Sequence, residues 1–232
     1  MNVDNIEKMF DGISSRYDKL NRIMSFGMDT SWRNKASGLI NNGKEMKLAD
    51  IAAGTCDQVI SFYKSGIKIK SVTAVDFSAE MLEIGRKKLK NMPFETKIIK
   101  GNALNLPLYD NSFDGVCMSF GIRNIKEKQK VFCEIYRIMK PGSRMTVLEL
   151  TVPENKFFRP LYFFYISQIV PLMGKIFSGD REAYEYLNQS IKNFPENEKI
   201  LLMEKDAGFV NVRAISLSFG ISTIFYGEKP SI

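Results

Sequence analysis

The chain has 232 residues and a net charge of +7, with 44% apolar and 25% charged residues, values of a globular domain long enough to bury one sizeable core. It contains no histidine, which excludes Ser-His-Asp and Cys-His nucleophile chemistry, imidazole-dependent zinc or iron sites and any histidine general base. Its three cysteines, Cys56, Cys117 and Cys133, are scattered without a C-x-x-C spacing; they make neither a disulfide framework nor a zinc ribbon, no metal is expected, and a reducing cytoplasm suits them.

In chain order, residues 1–45 read as helices broken at Phe26-Gly27, with a polar start that argues against a secretory signal. Residues 48–53 read as a buried strand ending at Gly54, followed by a helix over 57–64. A second strand covers 71–76, after which Ser78 is placed to cap a helix with Glu80 and Met81 in its first turn. The Arg86-Lys87-Lys88-Leu89-Lys90 run suits that helix's solvated end, where cations favour the dipole. Strands follow at 96–100 and 113–120, then a helix over 126–139 closed by Lys140-Pro141-Gly142, then a fifth strand at 145–150. Residues 153–200 form an inserted helical layer. Its apolar run, 157–177, is broken by Arg159, Pro160, Gln168, Pro171 and Lys175 and does not make a membrane span. The extended runs 210–217 and 221–226, separated by Ser218, Phe219 and Gly220, suit an antiparallel hairpin.

Strands alternating with helices predict an α/β protein with a parallel sheet covered on both faces. One domain is expected: a helical cap (1–45), a cofactor-binding core (46–152), a helical lid (153–200) and a closing helix end and hairpin (201–232). The surplus of positive charge permits an anionic membrane surface as partner; nucleic acid is not expected.

The segment Asp50-Ile51-Ala52-Ala53-Gly54-Thr55-Cys56-Asp57 leaves a strand and opens a helix, and Asp76 ends the next strand. A tight loop followed about 20 residues on by an acid is the geometry that holds an adenosine, the carboxylate accepting both ribose hydroxyls. A single glycine does not make the dinucleotide fingerprint, so a cofactor without phosphates, such as S-adenosylmethionine, fits better. An ordinary strand-helix turn with a surface Asp is the competing reading. Beyond the third strand, Asn102 and Ala103 offer an amide and a backbone N–H to an adenine edge. Ser119 ends the fourth strand, followed by Arg123 and Asn124, which packing does not explain.

These residues carry a resemblance. The chain resembles the class I S-adenosylmethionine-dependent methyltransferases, and more closely the ubiquinone/menaquinone biosynthesis C-methyltransferase family. Tyr17-Asp18-x-x-Asn21, Ser25-Phe26-Gly27 with Trp32, the 50–57 loop, Asp76 and Gly101-Asn102-Ala103-x-x-Leu106-Pro107 match in the first half. Ser119-Phe120-Gly121-Ile122-Arg123-Asn124, Tyr136-Arg137-x-x-Lys140-Pro141-Gly142, Leu148-Glu149, Tyr184-x-Tyr186-Leu187-x-x-Ser190-Ile191, Phe194-Pro195 and Ala207-Gly208-Phe209 match in the second. The resemblance implies a Rossmann-like fold with a seven-stranded, mostly parallel sheet. It also implies cofactor contact at Gly54, Thr55, Asp76, Asn102, Ala103 and Ser119. Three positions depart from the family. Cys56 replaces a glycine and crowds the methionine end of the cofactor; Asp29 and Phe225 stand where histidine is common.

Methyl transfer to carbon is an in-line displacement at a sulfonium, dominated by positioning and desolvation. The resemblance implies a prenylated quinol as acceptor (demethylmenaquinol or a ubiquinol precursor), activated by losing a ring-hydroxyl proton. Arg123 is suited to hold the resulting phenolate; Tyr17, Asp18, Glu149 or a carboxylate-held water are the bases available. Two other readings stand beside this one: the same fold acting on another lipophilic acceptor, and a catalytically inactive cofactor-binding protein in a quinone assembly. The aromatic run at 157–170 reads either as core or as a wall for a polyprenyl tail. Peripheral contact with the inner face of a membrane and a homodimer stay open.

Overall fold

The computed structural model describes residues 3–177 and 181–231. Its sheet is built from β1 (Met46–Ile51), β2 (Ile69–Asp76), β3 (Glu95–Lys100), β4 (Phe113–Ser119), β5 (Met139–Leu150), β6 (Val210–Leu217) and β7 (Ser222–Glu228). They lie in the order β3-β2-β1-β4-β5-β7-β6. The first five pair in parallel, and β7 enters antiparallel between β5 and β6. The α/β fold and its C-terminal hairpin are those expected. Chain order reverses between β1 and β4, which opens a crevice at the strands' carboxyl ends.

Parallel pairing forces each strand to return through a crossover, and the helices that provide it cover both faces. α3 (Asp57–Lys64) and α4 (Ala79–Leu89) lie on one face with α2 (Met28–Ile40); α5 (Lys128–Ile138) and α9 (Asn197–Asp206) lie on the other. β1 shows why both are needed. Met46 and Leu48 pack toward Val59 and Phe62, while Ala49 and Ile51 pack toward Val131 and Ile135. Ser78 caps α4 as expected, its Oγ accepting from the Met81 N–H at 3.1 Å. The remaining helices are α1 (Val3–Met24), α6 (Phe158–Phe164), α7 (Val170–Phe177) and α8 (Arg181–Lys192), with a single π-helical turn, Tyr165–Ile169, joining α6 to α7. Among the described residues no helix is long and apolar enough to cross a membrane.

The first strand lies two residues earlier than expected, at Met46–Ile51, and the boundary between α5 and β5 differs most. α5 ends at Ile138, and Lys140-Pro141-Gly142 already belongs to β5 instead of forming a stop. The cause is tertiary. The last carbonyls of α5, on Arg137 and Ile138, accept from the N–H groups of Asn111 and Ser112 just ahead of β4. Neighbouring chain therefore caps the helix, and Met139 pairs with Phe113 at once.

Glu204 on α9 is fully buried, and neither carboxylate oxygen has a partner among the described residues. Burial pushes its pKa up to about 9 from 4.5. The folded state therefore retains a proton that the unfolded chain gives up, and stability falls as pH rises between those values. Glu204→Met removes this dependence. Its advantage in thermal denaturation over the parent grows from pH 5 to pH 9, by roughly 2–4 °C for each kcal/mol recovered; a gap independent of pH contradicts this.

Candidate functional site

Beyond β1 the chain turns sharply: Ala52, Gly54 and Cys56 all have positive φ, at 53°, 53° and 65°. For the two non-glycine residues this stores roughly 1–3 kcal/mol each, so surrounding bonds must hold the loop. Asp76 does much of it. Its Oδ2 accepts from the Gly54 N–H at 2.8 Å and its Oδ1 from the Ser78 N–H at 2.9 Å. Burial pushes this carboxyl up, and the N–H groups of Ser78, Gly54 and Phe77 pull it back. The carboxylate keeps acceptor capacity for a further donor. Gly121 closes the other side: a Cβ there would stand 2.6 Å from that of Ala52.

Gly54, Thr55, Asp76, Asn102, Ala103 and Ser119 all line one cavity of about 740 Å³, within the range of small-molecule sites. Four of these side chains, Thr55, Asp76, Asn102 and Ser119, are also engaged with the protein. The Ser119 hydroxyl donates to Gln58 Oε1 at 2.8 Å, and Asn102 Oδ1 accepts from the Leu104 N–H, which leaves the amide nitrogen outward. Phe77, Met81 and Leu104 supply apolar wall at the β2–β3 end. The acid beside Gly54, the apolar wall and the neighbouring amide fit an adenosine.

α1 lies across the strand tips and is tied down at each. Lys100 Nζ donates to Glu7, Ser78 Oγ to Asp11, and Thr55 Oγ1 to Asp18. The last contact belongs to a knot. Lys88 Nζ reaches Asp18 at 2.5 Å, Asp57 at 2.6 Å and Thr55 Oγ1 at 3.0 Å. One cation of the basic run thus leaves the solvated helix end expected for it. Asp18 faces this knot and lines neither of the two main cavities.

A second cavity of about 420 Å³ lies between α1, α2, α6, α7 and α8, with walls that are mostly apolar. Asn188 Oδ1 is a buried acceptor on this wall without a partner among the described residues. Tyr17, Phe120 and Arg123 line both cavities. Arg123 is held hard in place: its guanidinium donates to Glu149 at 2.8 Å and to the Phe120 carbonyl at 2.5 Å, while its backbone N–H donates to the other Glu149 oxygen. The side chains are 6% and 0% exposed. Burial works against the Arg123 charge, but Glu149 outweighs it and holds the pKa above the ordinary value. Glu149 is thus the partner of Arg123 and accepts from the Leu150 N–H as well.

The three departures acquire distinct meanings. Cys56 lies outside the cavity lining, so it does not crowd a bound cofactor. Its sulfur packs toward α4, where a Cβ on Gly85 would stand 2.5 Å from it. Phe225 is fully buried in the core against Phe194, away from both cavities. Asp29 does line the second cavity, but its carboxylate is taken by Arg22 and Ser25. Sequence reasoning missed Arg33 and Phe120, which line the larger cavity. A signal for Arg33 existed: buried Asp29, Trp32, Arg33, Ala36, Ser37 and Ile40 follow helical spacing, and a cation in such a stripe needs a reason.

The model of the ubiE/COQ5 methyltransferase family matches residues 1–229. The demethylmenaquinone methyltransferase of Geobacillus sp. (strain WCH70) is 36% identical over 227 residues, 97% of each chain. That of Staphylococcus aureus (strain JH9) is 36% identical over 228 residues, 98% of this chain and 94% of its own. Among solved structures, a SAM-dependent methyltransferase of Thermotoga maritima superposes with a TM-score of 0.65 at 21% identity, covering 96% and 98% of the two chains.

If the Cys56 sulfur is packed against α4, Gly85→Ala overpacks the site and destabilises the protein by about 1–3 kcal/mol. Adding Cys56→Gly, which also suits the positive φ, restores most of that loss in a urea-denaturation double-mutant cycle. Additive effects would place the sulfur elsewhere.

Proposed function

Because the chain belongs to the ubiE/COQ5 methyltransferase family and is an S-adenosyl-L-methionine-dependent methyltransferase, we propose that it methylates a ring carbon of a prenylated quinol of the demethylmenaquinol type. One observation carries this reading: a cavity suited to an adenosine meets an apolar cavity at three residues, Tyr17, Phe120 and Arg123. The cofactor supplies an electrophilic methyl on a sulfonium. Everything else required of the protein is to hold a ring carbon in line with that methyl, keep water away and favour a negative ring oxygen.

Gly54, Thr55, Asp76, Asn102, Ala103 and Ser119 hold the cofactor, with Asp76 taking the ribose hydroxyls on its free lone pairs. The Phe120 ring divides the two cavities and aligns the ring plane. Arg123 and the Tyr17 hydroxyl are placed to donate to a ring oxygen that has lost its proton. The carbon beside it would then take the methyl a bound cofactor supplies, with S-adenosylhomocysteine as the leaving group and the ring carbon giving up its own proton to solvent. Asn188 Oδ1 is available to a second ring hydroxyl. Asp18, engaged with Lys88 and Thr55, serves to hold α1 over the cofactor and is not the base.

The second cavity suits the first isoprene units of the tail. At its mouth Phe26, Leu161 and Phe164 are exposed, with Phe157 and Phe219 (95% and 81% exposed) beside them. Arg159 on α6, Lys156 in the turn ahead of it and Lys192 at the end of α8 are also exposed. This rim supports peripheral binding to an anionic membrane, from which a tailed quinol enters without crossing water. Residues 1–45 then act as cap and 153–200 as lid over the reacting groups.

With purified protein, S-adenosylmethionine and demethylmenaquinol, mass spectrometry is expected to find a product heavier by one CH₂. Arg123→Lys lowers kcat about 10²–10³-fold with cofactor affinity retained. No product from any demethylated quinol, with cofactor still bound, would favour a different acceptor.

Phe157→Ser with Phe219→Ser is expected to weaken sedimentation with phosphatidylglycerol-containing vesicles by about tenfold or more, since one buried Phe contributes about 1.5–3 kcal/mol. Turnover of a short-tailed soluble quinol stays unchanged. Equal vesicle binding by parent and variant excludes this rim as the membrane face.

A further inference from the structure

Arg33 is a buried cation on the wall of the larger cavity, 7% exposed. Among the described residues its guanidinium has neither an ion pair nor a hydrogen bond, and its Nε is buried without an acceptor. An uncompensated buried charge costs several kcal/mol. Its neighbours on the same stripe of α2 are satisfied: Asp29 by Arg22 and Ser25, and Ser37 by the Arg33 carbonyl and Gln58. The Arg33 guanidinium carbon lies 4.8 Å from the centre of the Phe120 ring. Packing on a ring face fixes the plane of a guanidinium and leaves its in-plane N–H donors unused. Asp50, also buried and without a hydrogen-bond partner, makes no ion-pair contact with it; burial pushes that carboxyl up to about 8, and the Arg33 charge opposes the rise only in part.

The cavity has two ends. Asp76, Phe77, Asn102 and Leu104 stand at the tips of β2 and β3; Arg33, Asp57, Ser119 and Gly121 stand near those of β1 and β4. With the ribose at Asp76, the amino-acid part of the cofactor reaches the second end, and its one anionic group is the α-carboxylate. The other cations on this wall are less suited. Arg123 is taken by Glu149, Lys128 donates to the Ile125 carbonyl over the Phe194 ring, and Lys126 is exposed.

We propose that Arg33 is the carboxylate-binding residue of the cofactor site, its in-plane N–H groups gripping the α-carboxylate of S-adenosylmethionine while Phe120 fixes their plane. This rests on the larger cavity being the cofactor site. A planar fork matches a carboxylate in a way that a point charge does not. Its position is set by Gln58, whose amide donates to the Arg33 carbonyl and to Ser37 Oγ and whose Oε1 accepts from Ser119. One glutamine thereby locks α2, α3 and the β4 tip together. Phe120 then serves twice, dividing the cavities and orienting the cation that anchors the cofactor.

The test is calorimetric titration of the parent, Arg33→Gln and Arg33→Lys with S-adenosylmethionine and with its decarboxylated analogue, which keeps the adenosine and the sulfonium. The parent is expected to bind S-adenosylmethionine about 10–100-fold more tightly than the analogue, the range of one or two charge-assisted hydrogen bonds. Arg33→Gln abolishes that preference by weakening S-adenosylmethionine alone, and Arg33→Lys retains part of it. Equal weakening of both ligands, or no change, overturns the proposal and makes Arg33 a packing residue. A parent that binds both ligands equally overturns it without any variant, which covers the case of a variant that does not fold. A parent that binds neither ligand instead overturns the reading of the cavity itself.

Discussion

The buried ion pair between Arg123 and Glu149 fixes where the two cavities meet. Glu149 stands at the end of β5 with no exposure, and Arg123 sits in the turn beyond β4, so the pair ties two adjacent strand tips together. Neither charge tolerates burial alone; removing one partner of such a pair typically costs 3–5 kcal/mol. The same bonds hold the Phe120 carbonyl and with it a residue whose ring lines both cavities. Because Glu149 already answers the guanidinium charge, Arg123 offers directed donors more than net positive potential. On the proposed reading, that suits a site that favours a ring oxygen without trapping it.

A second set of constraints acts on the helices laid over the strand tips. α1 contributes little to the sheet core and is held by polar contacts at each loop it crosses, with Lys88 joining α4, α3 and α1 through Asp57, Asp18 and Thr55. Partly exposed ion pairs of this kind contribute little individually. Their value here is geometric, since they place Tyr17 of the same helix between the two cavities. α2 is held differently, by burial and by the Gln58 network, as suits an element that carries a buried cation. The absence of histidine is compatible with all of this, because an in-line transfer needs placement, donors and dryness more than a base titrating near neutrality.

Much of the fold was legible in the sequence because its signals are local. The helix over Asp57–Lys64, the Ser78 cap and the hairpin formed by β6 and β7 depend on residues close in the chain. The loop after β1 and the acid ending β2 were legible because each belongs to a strand tip, and parallel topology gathers such tips at one edge. Less legible were features set by a distant partner. Lys140-Pro141-Gly142 reads as a helix stop, yet α5 ends earlier because Asn111 and Ser112 cap its last carbonyls. Cys56 reads as an obstruction to cofactor, yet Gly85 makes room for its sulfur on the other side.

By itself, then, the sequence determined the α/β class, the order of the elements and the residues gathered at the carboxyl edge, since these follow from periodicity, capping and strand-tip position. Only the tertiary structure decided how each charged group is used. Asp18 and Glu149 read alike as carboxylates near the chemistry, yet one is bound into the Lys88 knot and the other neutralises Arg123. Arg33 carries no motif, and it is its burial without a hydrogen bond or ion-pair contact that marks it among the cations of the described residues. The physical reason is common to all three. What a charge does is set by what lies within a few ångströms of it and by how much water is excluded, and both depend on residues far away in the chain.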